Sequence, residues 1–318
     1  MPSARRVVAY LINAAIALLV LFCLAMLFPM KFPSGIAGMG MLALRAAGRG
    51  GFCDAGAARG AWDQLMRLAR ENEQYLATAT KVREDGNLTL WQTKSGPFWV
   101  PSRDKSVFIG LLAEQEMRVY GKVHPGDVVL DAGANIGDFT RSALSDGAKL
   151  VVAIEIAPDT LEALRRNLAA EISQGRVIVY TRGVWDSDTE LTLRSSVDRS
   201  SGIDTVVADD EARVEAGKVK LTTIDKIAEE LKLERIDLIK LDVEGAEIRG
   251  VLGARKVIRR FKPRIAFDSE TFSESDVATL RRELTALDGR YRMIPGPCIF
   301  DYPERSLRTL VMRFEIEP

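Results

Sequence analysis

Histidine is almost absent from this chain of 318 residues. The one present, His124, stands just before Pro125 and Gly126 at the amino end of a predicted strand. That is opposite the edge where α/β sheets bind ligands, so it is left out of the expected chemistry. Cysteine is scarce too: Cys23, Cys53 and Cys298 are odd in number and widely scattered. They read as neither a disulfide framework nor a zinc-ligand set, which points to a reducing compartment. A net charge of either sign is also missing, because 44 basic side chains cancel 44 acidic ones. No polyanionic partner, and so no nucleic acid, is expected.

Two ligand-binding signatures are missing from the glycine-bearing stretch Val128 to Thr140, VVLDAGANIGDFT. Its glycines read G-x-x-x-G, not the G-x-G-x-x-G that seats a dinucleotide pyrophosphate, and no Lys-Ser or Lys-Thr follows Gly137 as a triphosphate loop requires. What is there is an apolar strand ending in Asp131, a loop bracketed by Gly133 and Gly137, and a helical pattern from Asp138 and Phe139. Gly133 permits a backbone conformation closed to other residues, and Gly137 is expected to let a ligand approach the amide-rich helix start. A carboxylate at the strand end repels phosphate. It attracts an ammonium or sulfonium group, as carried by S-adenosylmethionine.

Three further segments follow: EIAPDTLEALRRNL (Glu155 to Leu168), GVWDSDTELTL (Gly183 to Leu193) and IDLIKLDVEGAE (Ile236 to Glu247). Together with Gly126 to Gly137 they resemble the FkbM-type family of S-adenosylmethionine-dependent, class I methyltransferases, over roughly Asn87 to Phe314. The K-x-D-x-E-G-x-E of the last segment is the most family-specific. The resemblance implies a Rossmann-like α/β fold: a seven-stranded sheet with helices on both faces and a small amino-terminal cap. It implies cofactor contacts from Asp131, Gly133, Ala134, Asn135, Gly137, Glu155, Ile156, Gly183, Val184 and Asp242, and catalytic roles for Asp242 and Glu244. Glu155 lies about twenty residues past the glycines, a spacing that suits an acid holding both ribose hydroxyls. The family often has Asn or Ala where Arg182 and Gly183 stand, and Glu-x-His where Asp268 and Glu270 stand.

Val7 to Phe28 is a nearly unbroken apolar run, interrupted by Tyr10 and Asn13, of roughly the length that spans a bilayer. Residues 1–30 are therefore expected to be a membrane anchor, and the catalytic domain is expected in the cytosol, where the cofactor is made. Glycine and alanine dominate 31–60, which reads as a linker. A cap is expected over 61–122: a helix at Trp62 to Ala77, a hairpin at Leu88 to Pro101 and a helix at Val107 to Tyr120. The cofactor-binding domain is expected over 123–318. Val177 to Trp185 reads as its third strand, Leu191 to Gly217 as a polar loop, and Arg249 to Arg264 as a basic amphipathic helix. YRMIPGPCIF and RTLVMRFEI read as final strands, one of them antiparallel.

These features favour an O-methyltransferase acting on a hydroxyl of a small metabolite, a glycan or a lipid-linked acceptor. Paired carboxylates can hold a divalent ion, but no second cluster of ligand type is evident, so a metal is left open. The rivals are a non-catalytic, membrane-tethered cofactor-binding protein and a nucleotide-cofactor oxidoreductase. Intact Asp131, Glu155, Asp242 and Glu244 speak against the first, and the glycine spacing speaks against the second.

Overall fold

The computed structural model describes residues 34–102, 112, 119–196, 204–205, 213–269, 272–301 and 305–316. The chain forms two compact units: residues up to Arg67 with Pro297–Thr309, and Leu68–Gly296 with the stretch from Leu310.

In the first unit, helix α1 (Ser34–Leu44) runs through a π-helical turn at Arg45–Arg49 towards α2 (Ala55–Thr78), which continues into the second unit. The glycine-rich stretch expected to be a linker is thus largely helical. Packing outweighs the poor helix propensity of glycine: Ala37 and Met41 are buried with Cys53, Trp62, Phe300 and Leu307 in one apolar cluster. The cysteine reading is also overturned, because Cys53 and Cys298 form a disulfide across 245 residues of sequence. A separation of that size conceals the pairing from any spacing argument. A disulfide also argues against a reducing compartment.

The second unit opens with a three-stranded antiparallel sheet, β1 (Thr80–Asp85), β2 (Leu88–Thr93) and β3 (Gly96–Pro101). The β2–β3 hairpin is the one expected around Lys94–Gly96, whereas β1, fully exposed and charged, gave no alternating pattern to read. The helix expected at Val107 to Tyr120 lies outside the described residues, apart from Leu112, Val119 and Tyr120.

Next come β4 (Val128–Ala132), α3 (Asp138–Ser145), β5 (Leu150–Ile154), α4 (Pro158–Asn167), α5 (Ala169–Ser173), β6 (Val177–Tyr180) and β7 (Gly183–Val184). The expected third strand is divided, since β6 joins the main sheet and β7 pairs elsewhere. The stretch expected to be a polar loop contains β8 (Thr189–Ser196), β9 (Asp204–Thr205) and the start of β10 (Arg213–Thr222). β8 and β10 pair antiparallel and, with β7 and β9, make a four-stranded sheet. Its polar side chains hid the strands.

The chain then returns through α6 (Ile224–Glu230), β11 (Leu238–Leu241), α7 (Glu247–Leu252), α8 (Arg255–Phe261), β12 (Arg264–Asp268), α9 (Glu274–Leu287) and β13 (Tyr291–Pro295). The basic amphipathic helix is two short helices. They part at Gly253, where a Cβ would meet the Trp185 carbonyl oxygen at 2.0 Å. The expected strand YRMIPGPCIF also divides: β14 (Cys298–Asp301) pairs with β15 (Ser306–Thr309) in the first unit, while β13 stays in the second with β16 (Val311–Ile316).

The main sheet has seven strands in the order β13-β16-β12-β11-β4-β5-β6. β16 runs antiparallel to both its neighbours, and β12, β11, β4, β5 and β6 are parallel. The mostly parallel seven-stranded α/β fold expected from the sequence is therefore present. Its central strands read as continuous apolar runs because they are buried on both faces; all five residues of β4 are buried.

The expectation of a single-pass membrane protein with a cytosolic catalytic domain is overturned. Among the described residues no helix is long and apolar enough to cross a membrane, and Val7 to Phe28 lies outside them.

Peptide mapping without reductant should recover Cys53 and Cys298 in one linked fragment, and Cys53→Ser should lower stability by about 2–5 kcal/mol. Recovery of the two cysteines in separate, freely alkylated peptides would contradict the pairing.

Candidate active site

From β4 the chain first adds β5 and β6 on one side, then crosses to add β11 and β12 on the other. The loops leaving β4 and β11 diverge there, which makes the carboxyl edge between them the crevice where such sheets hold ligands. The two loops touch. A Cβ on Gly133, whose φ is +79°, would lie 1.8 Å from the Asp242 carbonyl oxygen, so no side chain is tolerated there. The Asp242 amide in turn donates to the Ala132 carbonyl at 3.1 Å.

Beneath this contact lies a buried ionic cluster. The Lys240 ammonium sits 3.2 Å from Asp131 Oδ1 and 3.2 Å from Asp242 Oδ2, and donates to the Gly133 carbonyl at 3.0 Å. The rings of Tyr120 and Phe139 flank it at 5.0 and 5.6 Å. Burial opposes the charge, but Asp242, Asp131 and Asp138 together outweigh it and hold the ammonium above the ordinary lysine range. The Asp131 side chain is 0% exposed, and its Oδ2 accepts from Thr140 Oγ1 at 2.6 Å. The Asp131 carboxylate, which the sequence reading aimed at a sulfonium, here meets Lys240 and Thr140 and ties β4 to β11 and α3. The Asp242 side chain keeps 23% exposure, and its Oδ2 also accepts from the Tyr120 hydroxyl at 2.9 Å.

Asp138, the first residue of α3, completes the cluster. Burial pushes its carboxyl up, Lys240 pulls it down, Asp131 and Asp242 push it up, and the outcome is about 6.

The glycine loop is closed by its own backbone. The Gly133 and Ala134 amides both donate to the Ile154 carbonyl at 3.0 Å, and the Gly137 amide donates to the Ala134 carbonyl at 2.8 Å. Asn135 adopts a left-handed φ of 48°, and its amide donates to Glu155 Oε2 at 2.8 Å. The other carboxylate oxygen of Glu155 accepts from the Ile156 and Ala157 amides at 2.8 and 2.7 Å. Burial nevertheless raises the Glu155 carboxyl, partly offset by those amides. Glu155 thus joins the loop to the start of α4, and any ribose hydroxyl would share a carboxylate already bound to backbone. Gly137 packs against protein on the side where a side chain would stand. At φ +85° its missing side chain faces Leu168 and Leu164, not a ligand, with the nearest carbon at 2.7 Å. Gly183 and Val184 are buried in β7, with Leu221 and Ile156 filling the space a Gly183 side chain would need.

After β11, Glu244 takes a left-handed φ of 53° and Gly245 one of 98°, which turns the chain sharply into α7. Glu247 is buried and accepts from the Val243 and Gly245 amides at 3.0 and 3.3 Å, so it shapes the turn. His124 lies before β4, at the far edge of the sheet, and its amide donates to Asp127 at 2.8 Å. Asp268 ends β12, and Glu270 is outside the described residues. Among the described residues no group of three or more His, Cys, Asp or Glu is placed to hold a metal ion.

The sequence reading brought Asp131, the glycine loop, Glu155 and Asp242 to one edge. It missed Lys240, Tyr120 and Asp138 as parts of the site. The K-x-D spacing carried a signal for Lys240, since alternation puts it on the Asp242 side. Tyr120, 122 residues before Asp242, carried none.

The match to known proteins is decisive at the level of family. The model of the Methyltransferase FkbM domain matches residues 131–293, just over half of the 318 residues. The chain belongs to the FkbM methyltransferase family. Among curated proteins, AMB antimetabolite synthetase AmbE of Pseudomonas aeruginosa is 30% identical over a match covering 41% of this chain. The chain spans only 8% of that much longer relative. Among solved structures, methyltransferase FkbM of Methylobacillus flagellatus is 17% identical with a TM-score of 0.43, covering 86% of this chain and 65% of that one. Precorrin-6y C5,15-methyltransferase of Geobacter metallireducens is 12% identical with a TM-score of 0.36, covering 64% of this chain and 85% of that one.

An FkbM methyltransferase implies S-adenosylmethionine as the usual methyl source. The residues present fit such a cation. Asp131, Asp138 and Asp242 surround one ammonium, so the cluster carries net negative charge. Asn135 Oδ1 in the loop above is buried without a hydrogen-bond partner.

Asp138 gives a stability test. Its folded value lies above the ordinary 3.8, so the stability it contributes is complete below that value and is lost as pH rises through about 6. Asp138→Asn should stabilise the ligand-free protein near pH 7 by up to about 3 kcal/mol, with the gain vanishing below about pH 4. Thermal denaturation across that range measures it, and a gain that persisted at low pH would contradict the assignment.

Proposed function

We propose that this methyltransferase uses S-adenosylmethionine to methylate a hydroxyl oxygen, with Asp242 receiving or orienting the hydroxyl proton. The observation that carries this reading is the uneven exposure of the ionic cluster. Lys240 and Asp131 are shut in, whereas Asp242 is partly open and, among the described residues, Lys240 and Tyr120 meet its side chain at Oδ2. Oδ1 thereby keeps its acceptor capacity, and a carboxylate accepts a proton from a hydroxyl without needing a nearby imidazole.

When bound, the cofactor supplies a methyl carbon on a positively charged sulfur. The chain's part is alignment, charge and exclusion of water. Alignment is worth roughly 7 to 11 kcal/mol of barrier in well-oriented systems, and a positioned base adds about a hundred-fold or more. Asn135, Glu155, Ile156, Gly183 and Val184 are assigned to the nucleoside end, and Glu244 to the acceptor side beside Asp242. The acceptor class expected from the sequence, a small metabolite, glycan or lipid-linked hydroxyl, is retained here. The glycine spacing disfavours an oxidoreductase, and the open Asp242 disfavours a purely binding role.

Calorimetry should detect binding of S-adenosylmethionine and not of NAD; the reverse would sink the reading. At saturating cofactor, Asp242→Asn should lower turnover about a hundred-fold. Full turnover in both Asp242→Asn and Glu244→Gln would leave alignment as the only catalytic device. Mass spectrometry of extracts with and without the gene should reveal the acceptor as a pair of species differing by one methylene. A methyl found on nitrogen or carbon would overturn the O-methylation assignment.

A further inference from the structure

Two donors meet on one oxygen of the open carboxylate. The Tyr120 hydroxyl donates to Asp242 Oδ2 at 2.9 Å, and the Lys240 ammonium lies 3.2 Å from the same oxygen. Resting on the role given to Asp242 above, we propose that Tyr120 is a positioning residue for methyl transfer: its hydroxyl sets the plane of the Asp242 carboxylate and so turns Oδ1 towards the acceptor.

Lys240 alone does not set that plane. An ammonium is a compact charge with three rotatable donors, and this one is shared among Asp131 Oδ1, Asp242 Oδ2 and the Gly133 carbonyl. It keeps Oδ2 close but leaves the carboxylate free to turn about that contact. A second donor on Oδ2 removes the freedom. Any turn short of a half turn, which only exchanges the two oxygens, then breaks at least one of the two contacts. The hydroxyl proton of the acceptor meets a fixed Oδ1 as the oxygen–methyl bond forms and the carbon–sulfur electron pair stays with sulfur.

Tyr120 is itself held by groups other than Asp242. It is buried, its ring meets Phe139 of α3 edge-on with centroids 5.6 Å apart, and Lys240 lies 5.0 Å from its ring centre. The chain around it is fastened to the main sheet. Val119 and Val123 are buried, and Gly121, at φ +92°, has the Arg313 guanidinium of β16 where a side chain would stand, with Nη1 at 2.9 Å. The Lys122 carbonyl accepts from Arg264 at the start of β12. The phenol is thus delivered to Oδ2 on a rigid stem, the kind of support that keeps a reacting group within about half an ångström of its working place. A phenylalanine would fill the same space, but only the hydroxyl reaches Asp242.

The test compares the full chain with Tyr120→Phe, Asp242→Asn and the double variant. The methyl source is S-adenosylmethionine with a deuterated methyl group, the acceptor is an extract of cells lacking the gene, used in a dilution series, and mass spectrometry counts labelled product. Tyr120→Phe should lower kcat roughly ten-fold, the scale of one hydrogen bond. The half-saturating extract dilution and the calorimetric affinity for S-adenosylhomocysteine should not move. In the Asp242→Asn background the same change should cost nothing further, because Tyr120 acts through that carboxylate. Unchanged kcat in Tyr120→Phe, or an equal loss in both backgrounds, overturns the proposal. A loss of cofactor affinity as large as the loss of kcat also overturns it, since that marks Tyr120 as packing only. Full turnover in Asp242→Asn, or no labelled product from the unaltered protein, refutes the underlying reading and this assignment with it. A loss of about a hundred-fold in Asp242→Asn with none in Tyr120→Phe overturns this assignment alone. Should Tyr120→Phe fail to fold, Gly121→Ala, which displaces the Tyr120 main chain and leaves its side chain intact, decides by the same comparisons.

Discussion

One buried ammonium holds the site together. Lys240 reaches Asp131 on its neighbouring strand, Asp242 beyond its own strand, and the Gly133 carbonyl in the glycine loop. Burying such charges is costly, and a buried ion pair is not in itself a strong source of stability. Its effect is geometric. Because one cation satisfies groups on β4, on β11 and in the loop between, those three cannot shift independently. Replacing Lys240 by an apolar residue would leave Asp131 and Asp242 without their partner, a far larger penalty than the pair's own net contribution.

The same edge depends on two places where the backbone has no room. Gly133 lets the loop after β11 lie directly against it, and Gly245 lets that loop turn at once into α7. Both are positions of positive φ, where a side chain is strained whatever the space. A second tie comes from Asn167 at the end of α4. Its amide group exchanges hydrogen bonds with the Trp99 backbone at 2.7 and 2.9 Å and donates to the Ile136 carbonyl at 2.8 Å. The hairpin β2–β3 is fastened by this one side chain to the loop that holds Asn135.

Much of this fold could be read from the chain because the buried parallel strands are mostly apolar and an acid stands at or just past the end of several of them. Asp131, Glu155 and Asp242 each fall at a strand end, which is why their convergence was visible. What was not visible follows from physics that spacing does not carry. Cys53 and Cys298 meet only after the intervening fold has formed, and α1 is helical because its apolar face is buried, despite its glycines. Strands β8 and β10 pair with each other, and the short alternation of Leu191 and Leu193 and of Val219 and Leu221 was outweighed by the serine- and charge-rich stretch between them. In the site, the protein groups that Asp131 and Gly137 meet were not legible in the sequence. Each faces protein: Asp131 meets Lys240 and Thr140, and Gly137 meets Leu168.

The measurement that bears most directly on this account is the titration of Lys240 itself, followed by nuclear magnetic resonance of selectively labelled lysine side chains. If Lys240 is the charge that binds β4, β11 and the loop together, its signal stays that of an ammonium while exposed lysines titrate near their ordinary value of about 10.4. A Lys240 signal that titrates at or below that value would show that the carboxylates do not hold its proton. The site would then have to be organised by something other than this ion cluster.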